Sequence, residues 1–346
     1  MAPVFNFLVD LPDKDVGRYA ATKSLDAALE ADSGLLARIS SKGDLCWCLQ
    51  SYLLLKPRGL PVKLSNRLAA EAVNIVHSDH LLNLRGWPDD FVVSVQADFP
   101  RRGWAHHHLV QNRAQMGPDS SYIPLWPQPH LIGRDPERQG VTTVAYAGEI
   151  VNGNLAGGVE AWKQRFARHG MAFVQPPSGA WHDMSAIDVM IGVRSFDKRP
   201  YNGKPPSKMV NAWHARIPFI GGYDSAFLQT GSPGEDYLRA ETPDAVVAAA
   251  LWLRDDPALY AMLVSNGTRK AALYTQDAIA QTWERVLTET VTQRLARWRT
   301  APRYERVRFA AALSAGLSWH HGKQIVKMAR RRLSGAGLSR PGSQPQ

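Results

Sequence analysis

The sequence lacks any apolar run long enough to cross a membrane. A membrane-spanning helix needs about 20 apolar residues, and the nearest candidates, residues 245–253 and 309–319, are shorter. Residues 1–7 have no basic flank followed by an extended apolar region, so they do not resemble a signal peptide. These absences predict a protein that works in the cytoplasm.

Cysteine is almost absent as well. Only Cys46 and Cys48 occur, one on each side of Trp47. This alternation predicts a strand within residues 45–55, with both thiols on one face. No second cysteine pair completes a structural zinc site. We therefore expect both thiols to be reduced and structural.

Several catalytic signatures are also missing. Neither G-x-G-x-x-G nor G-x-x-x-x-G-K-[ST] occurs, so a dehydrogenase or a P-loop kinase has no support. G-x-S-x-G, the mark of α/β-hydrolases, is absent too. The histidines at 106–108 alternate faces in an extended segment, so at most two of them could share an ion. We predict no metal site.

Positive charge is plentiful but confined to the end of the chain. The net charge is +10, and twelve Lys or Arg residues against one acid lie from Arg294 to Arg340. A basic amphipathic helix is predicted over residues 307–333. Such a helix could dock on an anionic membrane surface, with Arg330, Arg331 and Arg332 facing lipid, or it could pack across the first domain. We favour a mixture, in which part of the helix packs on the domain and the arginine end meets lipid. Nucleic-acid binding ranks last because neither half has an aromatic and basic platform.

Short apolar runs alternate with helical patterns throughout the rest. This pattern predicts an α/β fold with two Rossmann-like domains that face a cleft. Residues 117–140 contain five prolines and predict a semi-rigid linker. The expected domains are residues 1–137, residues 138–300 and a basic tail at 301–346. Strands are expected at 4–9, 73–76, 91–95, 108–110, 141–146, 171–174 and 186–193, with helices at 24–40 and 158–169.

One stretch, residues 204–224, has the features of an anion site. Ser207 is a good N-cap for a helix that begins near Lys208, and Lys204 and Lys208 flank that helix N-terminus. Free N–H groups and the helix dipole favour a phosphate there. Arg194 follows an apolar strand, where ligands meet an open α/β sheet. The alternative is a surface loop with solvated lysines.

Taken together, these features resemble glycosyltransferases of the GT-B fold, in particular those of bacterial surface-polysaccharide clusters. The resemblance covers about residues 70–290. The segments that carry it are residues 122–129, 146–148, 187–196, 204–208, 211–218 and 224–227.

The resemblance implies a transferase that takes a sugar from a nucleotide-sugar donor, without metal or further cofactor. The second domain would hold the donor and the first a glycan or lipid-linked acceptor, at the inner face of the plasma membrane. Asp224 would hold ribose or sugar hydroxyls. The implied donor-binding residues are Gly148, Arg194, Lys204, Ser207, Lys208, Asn211 and Asp224.

For the catalytic base, the first half offers three residues. Asp98 is the first choice because it follows a strand beside Arg101 and Arg102, which could meet an anionic acceptor. His77 and His80 are the alternatives. Retaining members of the fold often carry two glutamates eight positions apart, where this sequence has Gly203 and Asn211. A catalytically inactive homologue that binds nucleotide or glycan is therefore the second hypothesis.

Overall fold

The computed structural model describes residues 3–82, 90–150 and 154–335. Its strands are β1 (Phe5–Leu8), β2 (Val62–Ser65), β3 (Val73–His77), β4 (Phe91–Val95), β5 (His107–Val110), β6 (Ser120–Tyr122), β7 (Thr143–Ala145), β8 (Ala172–Val174), β9 (Val189–Gly192), β10 (Phe219–Gly221) and β11 (Leu238–Arg239). Its α-helices are α1 (Asp13–Ala21), α2 (Leu25–Ala31), α3 (Leu35–Ser41), α4 (Gln50–Leu55), α5 (Gly158–Ala167), α6 (Ser207–His214), α7 (Ser225–Thr230), α8 (Pro243–Asp255), α9 (Pro257–Ala271), α10 (Gln276–Arg285), α11 (Thr292–Arg299) and α12 (Arg303–Gly335).

The strands form two sheets in which every pairing is parallel. The first has the order β2-β1-β3-β4-β5-β6, and the second has the order β11-β10-β9-β7-β8. Both β3 and β4 are buried along their whole lengths. Parallel sheets are covered on both faces, so their strands appear in a sequence as continuous apolar runs. The predicted α/β class is confirmed.

The strand predicted within residues 45–55 is wrong, because this segment is helical. Leu45–Leu49 forms a π-helical turn that continues into α4. Leu45, Cys48 and Tyr52 are all buried, at spacings that suit a helix. A helix buried on most sides shows a continuous apolar run, which periodicity alone does not separate from a strand. Cys48 is buried and Cys46 is half-buried, so the thiols do not share one face.

The helix predicted over residues 24–40 is interrupted. It is divided into α2 and α3 at Asp32. The Asp32 carboxylate accepts hydrogen bonds from the N–H of Gly34, at 3.2 Å, and from the Arg38 guanidinium, at 2.5 Å. An aspartate that bonds to nearby backbone N–H groups competes with helix continuation.

The chain returns to the first sheet after completing the second. Trp283 in α10 and Leu287 in the following turn are fully buried in the core that contains Phe7. The Trp283 ring lies parallel to that of Trp126, with centroids 6.4 Å apart. Trp126 belongs to the proline-rich segment and donates to Ser51 Oγ at 2.8 Å. The two halves are thus connected by the proline-rich segment and again by the approach to α10.

The last helix, α12, covers the other face of the first sheet. Leu313 is buried beside Trp104, and a methyl group at Gly316 would overlap the Trp104 ring. Tyr304 and Trp319 are exposed instead. Within the described residues, no helix combines the length and the apolar character that crossing a membrane requires. The side chains after Lys323, including Arg330, Arg331 and Arg332, and all of residues 336–346 of the predicted tail lie outside the described part.

Candidate functional site

A cleft lies between the two halves, beyond the carboxyl ends of strands from both sheets. It encloses about 280 Å³. Parallel sheets present their ligand sites at this edge. The predicted site residues that line the cleft are Asp98, Gly148, Arg194, Lys204, Ser207, Lys208 and Asn211.

Lys208 lies against Tyr146 and Gly148 in the cleft. Its Nζ lies 4.7 Å from the centre of the Tyr146 ring. A Cβ atom placed on Gly148 would lie 2.7 Å from the same Nζ, so glycine makes room for the ammonium. Burial lowers the pKa of Lys208 to about 7, and the charge of Arg194 acts in the same direction. A ligand that brings negative charge would stabilise the protonated form.

The N-terminus of α6 opens into the same cleft. The helix begins at Ser207, so the predicted N-cap is wrong by one position: Pro206 occupies the cap and provides no side-chain hydrogen bond. Ser207 and Lys208 form the first turn and line the cleft. An uncapped first turn has N–H groups without helical partners, which favour an anion.

Arg194 is held in place by a buried carboxylate. Its Nε donates to Asp224 Oδ2 at 2.7 Å, and its Nη1 donates to Asn154 Oδ1 at 2.8 Å. Asp224 is only 1% exposed and does not line the cleft. Burial raises the pKa of Asp224, although Arg194 acts in the opposite direction. The structure therefore places Asp224 behind Arg194.

Lys204 and Asp98 form an ion pair across the cleft. The backbone carbonyl of Lys204 also accepts a hydrogen bond from Asn112 Nδ2 at 3.0 Å. The loop before α6 is consequently attached to the first half at two points. Asp98, the first-choice catalytic base, is therefore paired with Lys204, one of the predicted donor-binding residues.

Asn211 contacts the proline-rich segment. Its Oδ1 accepts a hydrogen bond from the backbone N–H of Gln128 at 3.1 Å. Gln128 in turn donates through its side chain to Ser40 Oγ at 3.0 Å. Asn211 therefore joins α6 to the connection between the sheets. Gly203 lies beside the Asp98 backbone: a Cβ atom placed on Gly203 would lie 3.7 Å from Asp98 Cα.

A second cavity adjoins the cleft within the first half. It encloses about 520 Å³ and is lined by His77, His80 and Asp98 among others. Burial lowers the pKa of His77, whose ring meets Phe99 edge-on with centroids 5.4 Å apart. All three candidate bases thus face one space, and Asp98 lies where it joins the cleft.

Two arginines expected near the acceptor are used elsewhere. Arg101 pairs with Asp119, and Arg102 Nε donates to Ser78 Oγ at 3.1 Å. Neither residue lines the cleft or the second cavity. The expectation that these arginines meet an anionic acceptor beside Asp98 is therefore wrong.

The consecutive histidines are structural. His107 Nε2 bonds to Ser121 Oγ and His108 Nε2 to the carbonyl of Arg102, both at 2.9 Å. Burial lowers the pKa of His107 to about 3 and that of His108 to about 4. Among the described residues no group of three or more His, Cys, Asp or Glu side chains could hold a metal ion.

Sequence reasoning missed several lining residues. Trp47 and Gln50 line the cleft from the helical segment that was predicted as a strand. Asp10 and Asp44 line the second cavity, and Asp44 accepts from the Asp10 N–H at 2.9 Å. The position of Asp10, two residues beyond the end of β1, was the signal that sequence reasoning could have used, since strand ends form the ligand edge.

No protein-family model matches the sequence, and no curated protein matches it. Solved structures match its fold. Sucrose-phosphate synthase from Thermosynechococcus elongatus has a TM-score of 0.55 at 13% identity, covering 85% of this chain and 100% of that one. Anabaena HepE in complex with UDP and glucose has a TM-score of 0.51 at 10% identity, covering 84% and 100%.

TarM is a larger protein than this chain. It aligns at 11% identity with a TM-score of 0.46, over 64% of this chain and only 55% of its own length. The fold comparison therefore depends on the two structures that are matched in full. The resemblance predicted from the sequence is confirmed at the level of architecture: the chain has the two-domain GT-B fold of glycosyltransferases.

Proposed function

We propose that the protein transfers a sugar from a nucleotide-sugar donor to a glycan or lipid-linked acceptor. One observation carries the proposal: Lys208, Arg194 and the uncapped start of α6 meet in one cleft between the sheets. Negative charge develops on the leaving diphosphate as the sugar–phosphate bond breaks, and fixed cations and N–H groups at that point lower the barrier.

The donor would occupy the second domain, over residues 138–300, and the acceptor the first, over residues 1–137. Asp224 would act by positioning Arg194, since its carboxylate accepts a hydrogen bond from the Nε of that guanidinium. HepE, which shares the fold, has been described with UDP and glucose. This supports UDP as the first nucleotide to test.

Asp98 would accept the proton of the attacking hydroxyl. It lies where the cleft joins the second cavity, so an acceptor there would bring a hydroxyl close to the donor. Its ion pair with Lys204 would have to open first. The donor diphosphate would provide Lys204 with another anionic partner and leave the carboxylate free to act as a base.

Metal independence belongs to the same proposal, because protein cations would meet the phosphate charge. UDP binding should persist in a chelator. The direct test is titration of UDP against the wild type and Lys208→Ala. Lys163→Ala is the control, since that side chain is 53% exposed and pairs with a neighbouring glutamate. Equal UDP affinity in all three proteins would refute the diphosphate assignment.

The second candidate is an inactive homologue that binds nucleotide or glycan. Gly203 and Asn211 favour it, because retaining relatives carry acids there and Asn211 is bonded to the linker. It predicts that nucleotide binding occurs and that nucleotide release from a sugar donor does not.

We further propose that α12 brings the enzyme to an anionic membrane surface at the cytoplasmic side. Trp319 is 67% exposed and Tyr304 is 68% exposed on a helix whose sequence becomes strongly basic toward its end. Each cation near such a surface contributes about 1 kcal/mol. Replacing Arg330, Arg331 and Arg332 by Gln should weaken sedimentation with phosphatidylglycerol vesicles and leave neutral vesicles unbound. Unchanged sedimentation would refute this part.

A further inference from the structure

Asn112 joins the two halves of the molecule through its side-chain amide. The residue follows β5 and is fully buried. Its Nδ2 donates to the carbonyl of Lys204 at 3.0 Å and to Ser225 Oγ at 2.8 Å, both in the second half. Its Oδ1 accepts from the N–H of Ala114 at 2.9 Å and from Gln229 Nε2 at 3.0 Å. An amide side chain can make four hydrogen bonds, and this one makes all of them.

Asn112 holds the end of a strained loop. Residues 195–204 precede α6, and we call them the Lys204 loop. Lys198 and Tyr201, neither of them glycine, have φ angles of 60° and 44°. Residues with a side chain rarely adopt this left-handed conformation, and it persists only where surrounding contacts impose it. The Lys204 loop therefore depends on its anchors to keep this conformation.

The ion pair between Lys204 and Asp98 is a weak anchor by itself. The lysine side chain is 28% exposed and the aspartate side chain is 41% exposed. Ion pairs that water reaches contribute little to stability, because solvent screens them and the ordering of two side chains costs entropy. Asn112 is buried, and an unpaired amide there would lose its contact with water without compensation. Asn112 is therefore the firmer of the two attachments of Lys204 to the first half.

We propose that Asn112 is a positioning residue for the donor diphosphate and acts through Lys204. The proposal rests on the proposed function, in which Lys204 leaves Asp98 to meet that diphosphate. The hydrogen bond to the Lys204 carbonyl fixes the backbone, so only the flexible side chain has to turn from the carboxylate to the phosphate. A cation that is held near its ligand in advance loses less conformational entropy on binding.

The topology of the first sheet supports this role. Asp98 and Asn112 follow the neighbouring parallel strands β4 and β5. The carboxyl ends of such strands meet at one edge of the sheet, where ligands bind. The same edge therefore carries the candidate base and the residue that positions Lys204 between that base and the donor.

A purely structural role for Asn112 is the competing explanation, and Asn74 provides the matched control. Asn74 is also fully buried, its amide also makes four hydrogen bonds, and all its partners lie in the first half. Asn112→Asp and Asn74→Asp each replace an amide nitrogen, with its two donors, by an oxygen of nearly the same size. Both substitutions should lower the melting temperature, so thermal unfolding does not separate the two roles.

Hydrogen exchange measures the anchor without any ligand. The N–H of Lys204 donates to the carbonyl of Tyr201 at 2.9 Å, and that of Ser225 donates to the carbonyl of Pro200 at 2.6 Å. Asn112→Asp should raise the exchange rates of both N–H groups about tenfold, whereas Asn74→Asp should leave them at the wild-type rates. Unchanged rates in Asn112→Asp, or equal increases in both variants, would overturn the proposal.

Gln229→Ala is a second variant that buries no charge. This side chain is exposed, and it accepts from the N–H of Arg113 at 2.9 Å as well as donating to Asn112. Its loss should raise the same two exchange rates about threefold. If Asn112→Asp does not fold, the rates in Gln229→Ala decide whether the anchor exists, and unchanged rates would count against it.

A double-mutant cycle on UDP affinity tests the action through Lys204. Calorimetry compares the wild type, Asn112→Ala, Lys204→Ala and the double variant. Asn112→Ala should weaken UDP binding about fivefold, but by no more than about twofold when Lys204 is already alanine. Equal losses in both backgrounds would show that Asn112 does not act through Lys204, and would overturn the proposal.

The two measurements separate this proposal from the proposed function. Absence of UDP binding by the wild type would refute the donor site and, with it, the positioning of Lys204 for a diphosphate. Normal UDP binding by the wild type, together with unchanged exchange or unchanged affinity in the Asn112 variants, would refute the role of Asn112 alone.

Discussion

Replacing Lys208 with methionine should stabilise the free protein and weaken its stabilisation by UDP. The ammonium is enclosed in the cleft, and burial lowers its pKa to about 7. An unfolded lysine titrates near pH 10.4, and the gap corresponds to at most about 4 kcal/mol at pH 7. Because the residue as a whole is half-buried and water reaches the cleft, we expect about 2 kcal/mol of that destabilisation in practice.

The pH dependence has a definite sign. The folded pKa lies below the unfolded one, so the destabilisation is fully present below about pH 7 and disappears as the pH rises toward 10. Lys208→Met should therefore unfold about 3 °C higher than the wild type at pH 7, and at nearly the same temperature at pH 10. Lys163→Met, an exposed lysine, should show no such crossover.

UDP reverses the order of the two proteins. A diphosphate stabilises the protonated wild type by binding only the folded state, and in the variant it loses the Lys208 ammonium and keeps only Arg194, Lys204 and the start of α6. Thermal unfolding with and without saturating UDP measures both effects in one experiment. The reasoning would be refuted if Lys208→Met unfolded at or below the wild-type temperature at pH 7, or if it kept the full stabilisation by UDP.

Three other substitutions test separate parts of the structure. Asp188 is fully buried; burial favours its neutral form, but hydrogen bonds from two arginines and two backbone N–H groups lower its pKa to about 2. Asp188→Asn should therefore lower the free energy of unfolding by about 3 kcal/mol at pH 7. In thermal unfolding, the variant should not show the loss of stability that the wild type shows between pH 4 and 2. Gly148→Ala should displace the Lys208 ammonium and weaken UDP binding about tenfold in calorimetry, while circular dichroism remains unchanged. Gly316→Ala should loosen α12 and raise its amide hydrogen exchange, whereas Gly322→Ala, which has open space, should not; equal exchange in both would contradict the described packing.

The apolar runs of the sequence predicted the two sheets. Strands such as β3 and β4 are buried on both faces, so their apolar runs are visible without knowledge of the fold. The same signal misled over residues 45–55, because a nearly fully buried helix also shows a continuous apolar run. Local propensity does not distinguish a buried helix from a buried strand. At residues 45–55, packing in the tertiary structure determines that the segment is helical.

The sequence predicted that Arg194, Lys204 and Lys208 share one site, and all three line the cleft, but it did not predict their partners. Lys204 pairs with Asp98, and Arg194 pairs with Asp224. Both ion pairs join residues far apart in the chain. Such pairings depend on how the two sheets face each other, which no local pattern records. The same limit explains why Arg101 was expected to meet an acceptor. Its actual partner, Asp119, becomes close only when β5 and β6 pair.

The central claim is that the cleft binds a nucleotide-sugar and releases its nucleotide. The most direct measurement is release of nucleoside diphosphate from a panel of nucleotide-sugars, by the wild type, Lys208→Ala and Asp98→Asn, with a panel of oligosaccharides as acceptors. The account predicts release from at least one donor by the wild type, with a strong reduction in both variants. No release from any donor, or equal release by all three proteins, would contradict it.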